Sequence, residues 1–156
     1  MTLAQKALDV AISQLGVQEH PKGSNRGLQV DEYIRSVGLD PTKGSYAWCM
    51  AFQYWCHVQA ANAMGRNPLM SKTGGVLDQW NKRKAAYRVI TPQPGDIFVM
   101  DYGKGQGHTG IVEKVNEDGT IDTIEGNTDS QGGREGYEVC RRVRQRSKIL
   151  GYLRFD

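Results

Sequence analysis

Three cysteines and three histidines are the side chains of this sequence best suited to nucleophilic chemistry, and their surroundings differ. Cys49 stands where a glycine-containing segment, Lys43-Gly-Ser-Tyr-Ala-Trp48, gives way to an apolar helical run. A thiol at a helix start lies at the positive end of the helix dipole, which favours thiolate, and its own N–H is among the first-turn donors a helix cannot pair. That position supplies a nucleophile and half of an oxyanion hole. Cys56 and Cys140 lie inside a helical and an extended segment, where a cysteine serves as a small packing residue. Position alone leaves both roles open for Cys49. Seven residues of helix rise ~10.5 Å, beyond the ~7 Å a disulfide can span between Cα atoms, so Cys49 and Cys56 are not expected to pair. No Cys-x-x-Cys spacing suggests zinc.

A cysteine nucleophile needs a base. His20 precedes Pro21 in a polar loop, and His57 lies mid-helix, two turns beyond Cys49. His108 instead opens an extended segment in Gly107-His-Thr-Gly110, where flanking glycines admit a close neighbour. A strand histidine taken alone is more often structural, but strand parity adds to the case. If 108–115 and 120–127 form a hairpin with a four-residue loop, Asn116 to Gly119, then Val115 pairs with Thr120 and His108 falls opposite Asn127. Glu125 is then the diagonal neighbour on the same face. Two acceptors would flank the imidazole, which is the base-and-orienter logic of a nucleophilic triad. A three-residue loop would reverse the parity. For Glu125 or Asn127 alone, turn-side polarity is explanation enough.

The elements that must hold these residues change period halfway along the chain. Leu3, Ala4, Ala7, Leu8, Ala11, Ile12 and Leu15 recur on one helical face, with Thr2 and Gln5 as a capping box and Gly16 as the stop. Val30 to Val37 reads as a second helix ending at Gly38, and Trp48 to Met64, apolar nearly all round, as a central buried helix. Val76 to about Lys84 is a fourth. After Thr91-Pro-Gln-Pro-Gly95, the segments 96–102, 108–115, 120–126, 137–144 and 149–155 read as short strands of an antiparallel meander. Helices first and strands afterwards predict an α+β fold.

With 156 residues the chain is the length of one domain, taken as spanning 1–156. No apolar run reaches the ~18 residues of a membrane helix, and Lys6 and Asp9 break the N-terminal run, so neither membrane insertion nor a secretory signal is expected. A net charge of +3 does not argue for nucleic acid, although the charge is uneven. Residues 105–138 hold eight acids against Lys114 and Arg134, while 137–156 hold Arg141, Arg142, Arg144, Arg146, Lys148 and Arg154 against Glu138 and Asp156. The basic tail reads as a solvated strand face rather than an anion-binding surface. No aromatic stacking pattern accompanies it, so no nucleic acid is expected as a partner.

Trp48-Cys-Met-Ala-Phe52 before an apolar helix, Pro94-Gly-Asp-Ile97 opening a strand, Gly107-His-Thr-Gly-Ile-Val112 and Glu125-Gly-Asn127 resemble, in order and spacing, the CHAP family of cysteine- and histidine-dependent amidohydrolases and peptidases. The segment Gly23-Ser-Asn-Arg-Gly27 followed by Val30-Asp-Glu-Tyr33 is similar to the region upstream of the cysteine in many CHAP domains. The resemblance implies a papain-like fold of the NlpC type, N-terminal helices with the central helix packed on a C-terminal antiparallel sheet. It further implies cleavage of amide bonds in bacterial peptidoglycan, as an N-acetylmuramoyl-L-alanine amidase or a peptide endopeptidase. Cys49 would be the nucleophile, His108 the base and later acid, Glu125 the orienting group and Asn127 a second polar partner, with Trp48 and Tyr46 toward substrate and Tyr46 the candidate oxyanion-hole side chain. Asp31, Glu32 and Asp40 lack the alternating spacing of a calcium loop, so no metal or cofactor is expected.

The implied protein is a monomer, made in the cytoplasm and reaching the wall by lysis or a dedicated export system, as a phage lysin, an injected effector or a piece of a larger secreted protein. An injected effector would require an immunity protein. The rival readings are an inactive wall-binding module, against which the intact Cys49, His108 and Glu125 speak, and an acyltransferase using the same residues.

Overall fold

The computed structural model describes residues 1–128 and 136–156. Four helices come first: α1 (Leu3–Ser13), α2 (Leu28–Ser36), α3 (Cys49–Ala63) and α4 (Val76–Tyr87). Strands β1 (Arg88–Val89), β2 (Ile97–Gly103), β3 (Gln106–Val115), β4 (Thr120–Thr128), β5 (Glu138–Gln145) and β6 (Gly151–Leu153) follow, with a short 3-10 turn at Arg146–Lys148. The fold is α+β, with the helices on one face of an antiparallel sheet.

Local signals explain the helix limits. Thr2 Oγ1 accepts the Gln5 N–H at 3.1 Å, and Gln5 Oε1 accepts the Thr2 N–H at 2.9 Å, so the capping box starts α1. Gly16 and Gly38, at φ of +92° and +87°, lie just past the ends of α1 and α2, where the chain turns through the left-handed region that glycine enters without strain. Helix α3 is buried on nearly every side, from Met50 and Phe52 to Ala60 and Ala61. Tyr33 of α2 packs its ring against Trp48, Phe52 and Trp55 at centroid distances of 5.8, 5.0 and 5.1 Å. These aromatics join α2 to the start of α3. On the sheet, Ile97, Val99, Ile111, Ile124 and Leu153 belong to the core shared with the helices. Phe98, Met100, Val112, Ile121 and Tyr152 form a second cluster with the alternate parity.

The sheet departs from a simple meander. Strands β2 to β5 follow one another, but β6 returns to pair with β2, and β1, unanticipated in the sequence, pairs with β6, giving the order β1-β6-β2-β3-β4-β5. A side-chain anchor accompanies this return. Arg154, just after β6, donates Nε and Nη2 to the buried Asp96 carboxylate at 2.8 and 2.9 Å, and Asp96 also accepts the Gln93 N–H at 2.7 Å. The adjoining Gly95, at φ +95°, sits so close to α1 that an added Cβ would lie 2.8 Å from the Ala4 carbonyl. Pro94-Gly-Asp96 thus ties β6 to the start of β2 and lets α1 approach closely.

The hairpin that carries His108 differs at its turn. Val115 pairs with Ile121 rather than Thr120, one residue out of the expected register. A bulge between Val112 and Lys114 takes up the extra residue, so Val112 pairs with Thr123 and Ile111 with Ile124. The parity expected for His108 and Glu125 is thereby restored.

Candidate active site

Strand alternation and the register put the side chains of His108 and Glu125 on one face of the β3–β4 ladder, and Gly110, with no side chain of its own, leaves room for Glu125 there. A Cβ on Gly110 would stand 2.6 Å from Glu125 Cγ and 2.6 Å from the Phe98 ring. His108 Nε2 and Glu125 Oε1 are 2.7 Å apart, and both residues are fully buried. Cys49, the first residue of α3, is 3% exposed and acts on the same imidazole. The second ring nitrogen, Nδ1, is buried and has no well-formed hydrogen bond among the described residues. Tyr102 lies parallel to the His108 ring at 6.5 Å, and Phe98 is tilted to it at 6.2 Å.

Electrostatics couple the cluster. Burial disfavours the charged imidazole, but the nearness of Cys49 and the hydrogen bond and charge of Glu125 outweigh it and raise the His108 pKa to about 9. Burial likewise opposes ionisation of Glu125. Hydrogen bonds first from Arg144 and then from His108 overcome this and hold the carboxyl at about 2.

Arg144 and Thr123 were not anticipated as members of this cluster. Arg144 donates Nε to Glu125 Oε2 at 2.8 Å and Nη2 to Oε1 at 2.6 Å, and Thr123 Oγ1 donates to Oε2 at 2.7 Å. Its side chain is only 12% exposed, so this part of the basic tail is not a solvated strand face. The alternation of β5 carries a hint of it: Cys140, Arg142 and Arg144 are half-buried, while Arg141 and Val143 are exposed.

Asn127 is committed elsewhere than to His108. Its Oδ1 accepts the Trp48 backbone N–H at 2.7 Å, and its Nδ2 donates to the Gly136 carbonyl at 2.6 Å. The residue is at φ +56°, a conformation asparagine tolerates better than most. Trp48 is fully buried, its indole N–H donated to the buried Glu19 at 2.7 Å, so its side chain offers no surface to a substrate. Glu19 in turn accepts the Gly23 N–H at 2.9 Å, tying the 19–23 loop to the start of α3. Tyr46 packs half-buried against the helical core, its ring over Gly44.

The other histidines and cysteines stand apart. His57 Nε2 accepts the N–H groups of Leu69 and Met70 at 2.8 and 3.2 Å, and burial, with a smaller contribution from Arg66, lowers its pKa to about 4. It is a neutral structural acceptor. Cys56 is fully buried, which pushes its thiol pKa up; Cys140 is half-buried, and all three cysteines are free thiols. Asp31 is taken up by a fork from Arg26 at 2.9 and 3.0 Å, and Asp40 by Thr42. Two clefts, of about 660 Å³ beside Gln18, Arg26 and Leu28 and about 370 Å³ beside Glu113, Asp122 and Arg141, are not lined by Cys49, His108 or Glu125. Among the described residues no helix is long and apolar enough to cross a membrane.

A helix beginning in cysteine, set against an antiparallel sheet that carries a buried histidine–carboxylate pair, defines a papain-like α+β protein. The CHAP domain model matches residues 41–127, more than half of the chain and the stretch that holds Cys49, His108, Glu125 and Asn127, and the chain belongs to that family. No curated protein sequence matches it. Among solved structures, that of Ly7917 aligns with a TM-score of 0.54 at 19% identity, covering 98% of this chain and 62% of its own. The wild-type endolysin LysIME-EF1 aligns with a TM-score of 0.53 at 20% identity, covering 99% of this chain and 64% of its own. At such identity the likeness is one of fold. The chain spans less than two thirds of the length of either structure.

Proposed function

We propose that residues 1–156 act as one catalytic domain that hydrolyses amide bonds of bacterial peptidoglycan through Cys49, His108 and Glu125. The observation that carries this reading is the buried imidazole gripped through Nε2 by Glu125 while Cys49 acts on the same ring. Membership of the CHAP family and the fold shared with an endolysin support the choice of substrate.

His108 Nδ1, the nitrogen Glu125 leaves unengaged, takes the thiol proton, and the Cys49 sulfur attacks the scissile carbonyl carbon. The developing oxyanion sits against the first-turn N–H groups of α3, which point out of the helix start. His108 then gives its proton to the leaving amine, and a thioester remains on Cys49. Water, deprotonated by His108, hydrolyses the thioester and restores the thiol. Glu125 keeps the ring oriented and favours the imidazolium through each step.

Purified sacculi incubated with the protein should lose turbidity and release new amino groups without new reducing ends, because a cysteine centre cleaves amides and not glycosidic bonds. Mass spectrometry of the muropeptides assigns the bond. Bare glycan identifies an amidase, and shortened stems or opened cross-links identify an endopeptidase. Walls of several chemotypes left intact would overturn the proposal in favour of a binding module.

A further inference from the structure

Glu125 has every acceptor position filled. Oε1 receives His108 Nε2 and Arg144 Nη2, and Oε2 receives Arg144 Nε and Thr123 Oγ1, at 2.7, 2.6, 2.8 and 2.7 Å. Arg144 reaches this carboxylate from β5, where it pairs with Ile121 and so shares a face with Thr123 and Glu125. Directly opposite Glu125 stands Cys140, whose small side chain leaves room for the guanidinium. The fork sets the carboxylate plane, and with it the direction in which Oε1 meets the imidazole.

Charge counting gives the pair a second task. A thiolate, an imidazolium and a carboxylate together in a site shielded from water would carry one uncompensated negative charge, which is costly to bury. With the arginine the sum is zero both before and after a proton passes between Cys49 and His108. We infer that Arg144 is a positioning residue of this site, holding Glu125 in the orientation that aims His108 and balancing its charge, so that proton transfer between Cys49 and His108 proceeds without net buried charge. This rests on the triad reading above. The groups that face the imidazole among the described residues are Cys49 from α3, Glu125 from β4 and Tyr102 from β2, and Arg144 acts on it through Glu125.

The test compares wild type, Arg144→Met, Arg144→Lys, Glu125→Gln, the double variant Glu125→Gln/Arg144→Met, and Cys49→Ala on solubilised peptidoglycan across pH, with the His108 imidazole followed by NMR. Arg144→Met should lose on the order of 10- to 100-fold in kcat, the scale set by misaiming a catalytic group, with KM within about twofold. Removing the positive charge leaves Glu125 to hold the imidazolium more strongly, so the His108 titration and the alkaline limb of kcat should move up in pH. Arg144→Lys keeps the charge without the fork, and should keep the limb while recovering only part of kcat. On the Glu125→Gln background, Arg144→Met should cost under about threefold, because the group it acts through is gone. A folded Arg144→Met with unchanged kcat and alkaline limb overturns the inference, as does an equal loss on both backgrounds. If Arg144→Met fails to fold, Arg144→Lys decides: wild-type kcat there is the overturning result. Cys49→Ala separates the two ideas. Activity retained in Cys49→Ala ends the triad reading itself, whereas Cys49→Ala inactive beside a normal Arg144→Met ends only the role of the arginine.

Discussion

The Asn127 carboxamide accepts the backbone N–H of Trp48 at 2.7 Å, so the residue before Cys49 is fastened to the strand that carries Glu125, two residues beyond it. Trp48 is the N-cap of α3, and no side chain of its own neighbourhood caps that helix. A contact across 79 residues of sequence holds the N–H of this N-cap residue instead. Asn127 also holds the Gly136 carbonyl, which makes it a two-ended brace between the nucleophile's helix and the end of the sheet.

Asn127→Ala should therefore destabilise the protein by about 1–3 kcal/mol, the cost of leaving a buried N–H without its acceptor. It should also reduce activity by about 10- to 100-fold through displacement of Cys49 from His108. Denaturant titration and kcat measured on the same preparation check this. Full activity in a destabilised variant would show that the brace does not control the site.

Cys49→Ala should remove activity by several orders of magnitude and leave the protein folded, since exchanging SH for H removes one heavy atom from this buried helix start. Cys56→Ala, at a fully buried position, should cost stability and keep activity where the protein is folded. Alkylation needs a site-resolved readout, because Cys140 is the most exposed of the three thiols. Loss of activity should follow carboxamidomethylation of Cys49 by mass spectrometry, and an enzyme fully active after Cys49 is modified would contradict this.

Gly110→Ala should separate geometry from stability. Its Cβ would meet Glu125 Cγ and the Phe98 ring at 2.6 Å, and Phe98 is packed in the sheet's second cluster, so Glu125 must move. The expected cost is about 1–3 kcal/mol from overpacking, together with loss of activity. Gly119→Ala is the control. It lies at φ +86° at the far end of the hairpin with nothing within 4 Å, so it should cost about 1 kcal/mol from backbone strain and leave kcat alone. Equal activity in the two variants would refute the role given to Gly110.

Stability should peak near pH 6.5. His108, raised from an ordinary 6.5 to about 9, stabilises fully below 6.5, and its contribution is lost as pH rises through about 9. His57, lowered from 6.5 to about 4, contributes fully above 6.5 and loses its effect as pH falls through about 4. Glu125, lowered from 4.5 to about 2, adds a further loss between those values. Denaturation midpoints between pH 4 and pH 10 should show both slopes. His108→Gln should flatten the alkaline one and His57→Gln the acid one, and an alkaline slope unchanged in His108→Gln would refute the assignment.

What was legible in the sequence was set by neighbours along the chain. Thr2 and Gln5 cap α1 through a contact three residues long, and the apolar surround of α3 marks it as the central helix whatever packs on it. Cys49 at a helix start and Glu125 on the face of His108 follow from periodicity, because side-chain direction depends on local backbone geometry. The register held at the site for a reason outside that logic: the turn slipped by one residue, and the bulge beside Glu113 compensated.

The partners of Glu125 and Asn127 were decided only by tertiary structure. Arg144 among six basic residues near the C-terminus carries no mark that one of them reaches a buried carboxylate nineteen residues back, and parity alone put Asn127 beside His108 when its carboxamide binds Trp48. The return of β6 to β2 is equally non-local. Each of these depends on which buried polar group finds which partner once the core has closed, and that choice is made by burial, since a polar group cut off from water must take whichever complementary group the packing brings within reach.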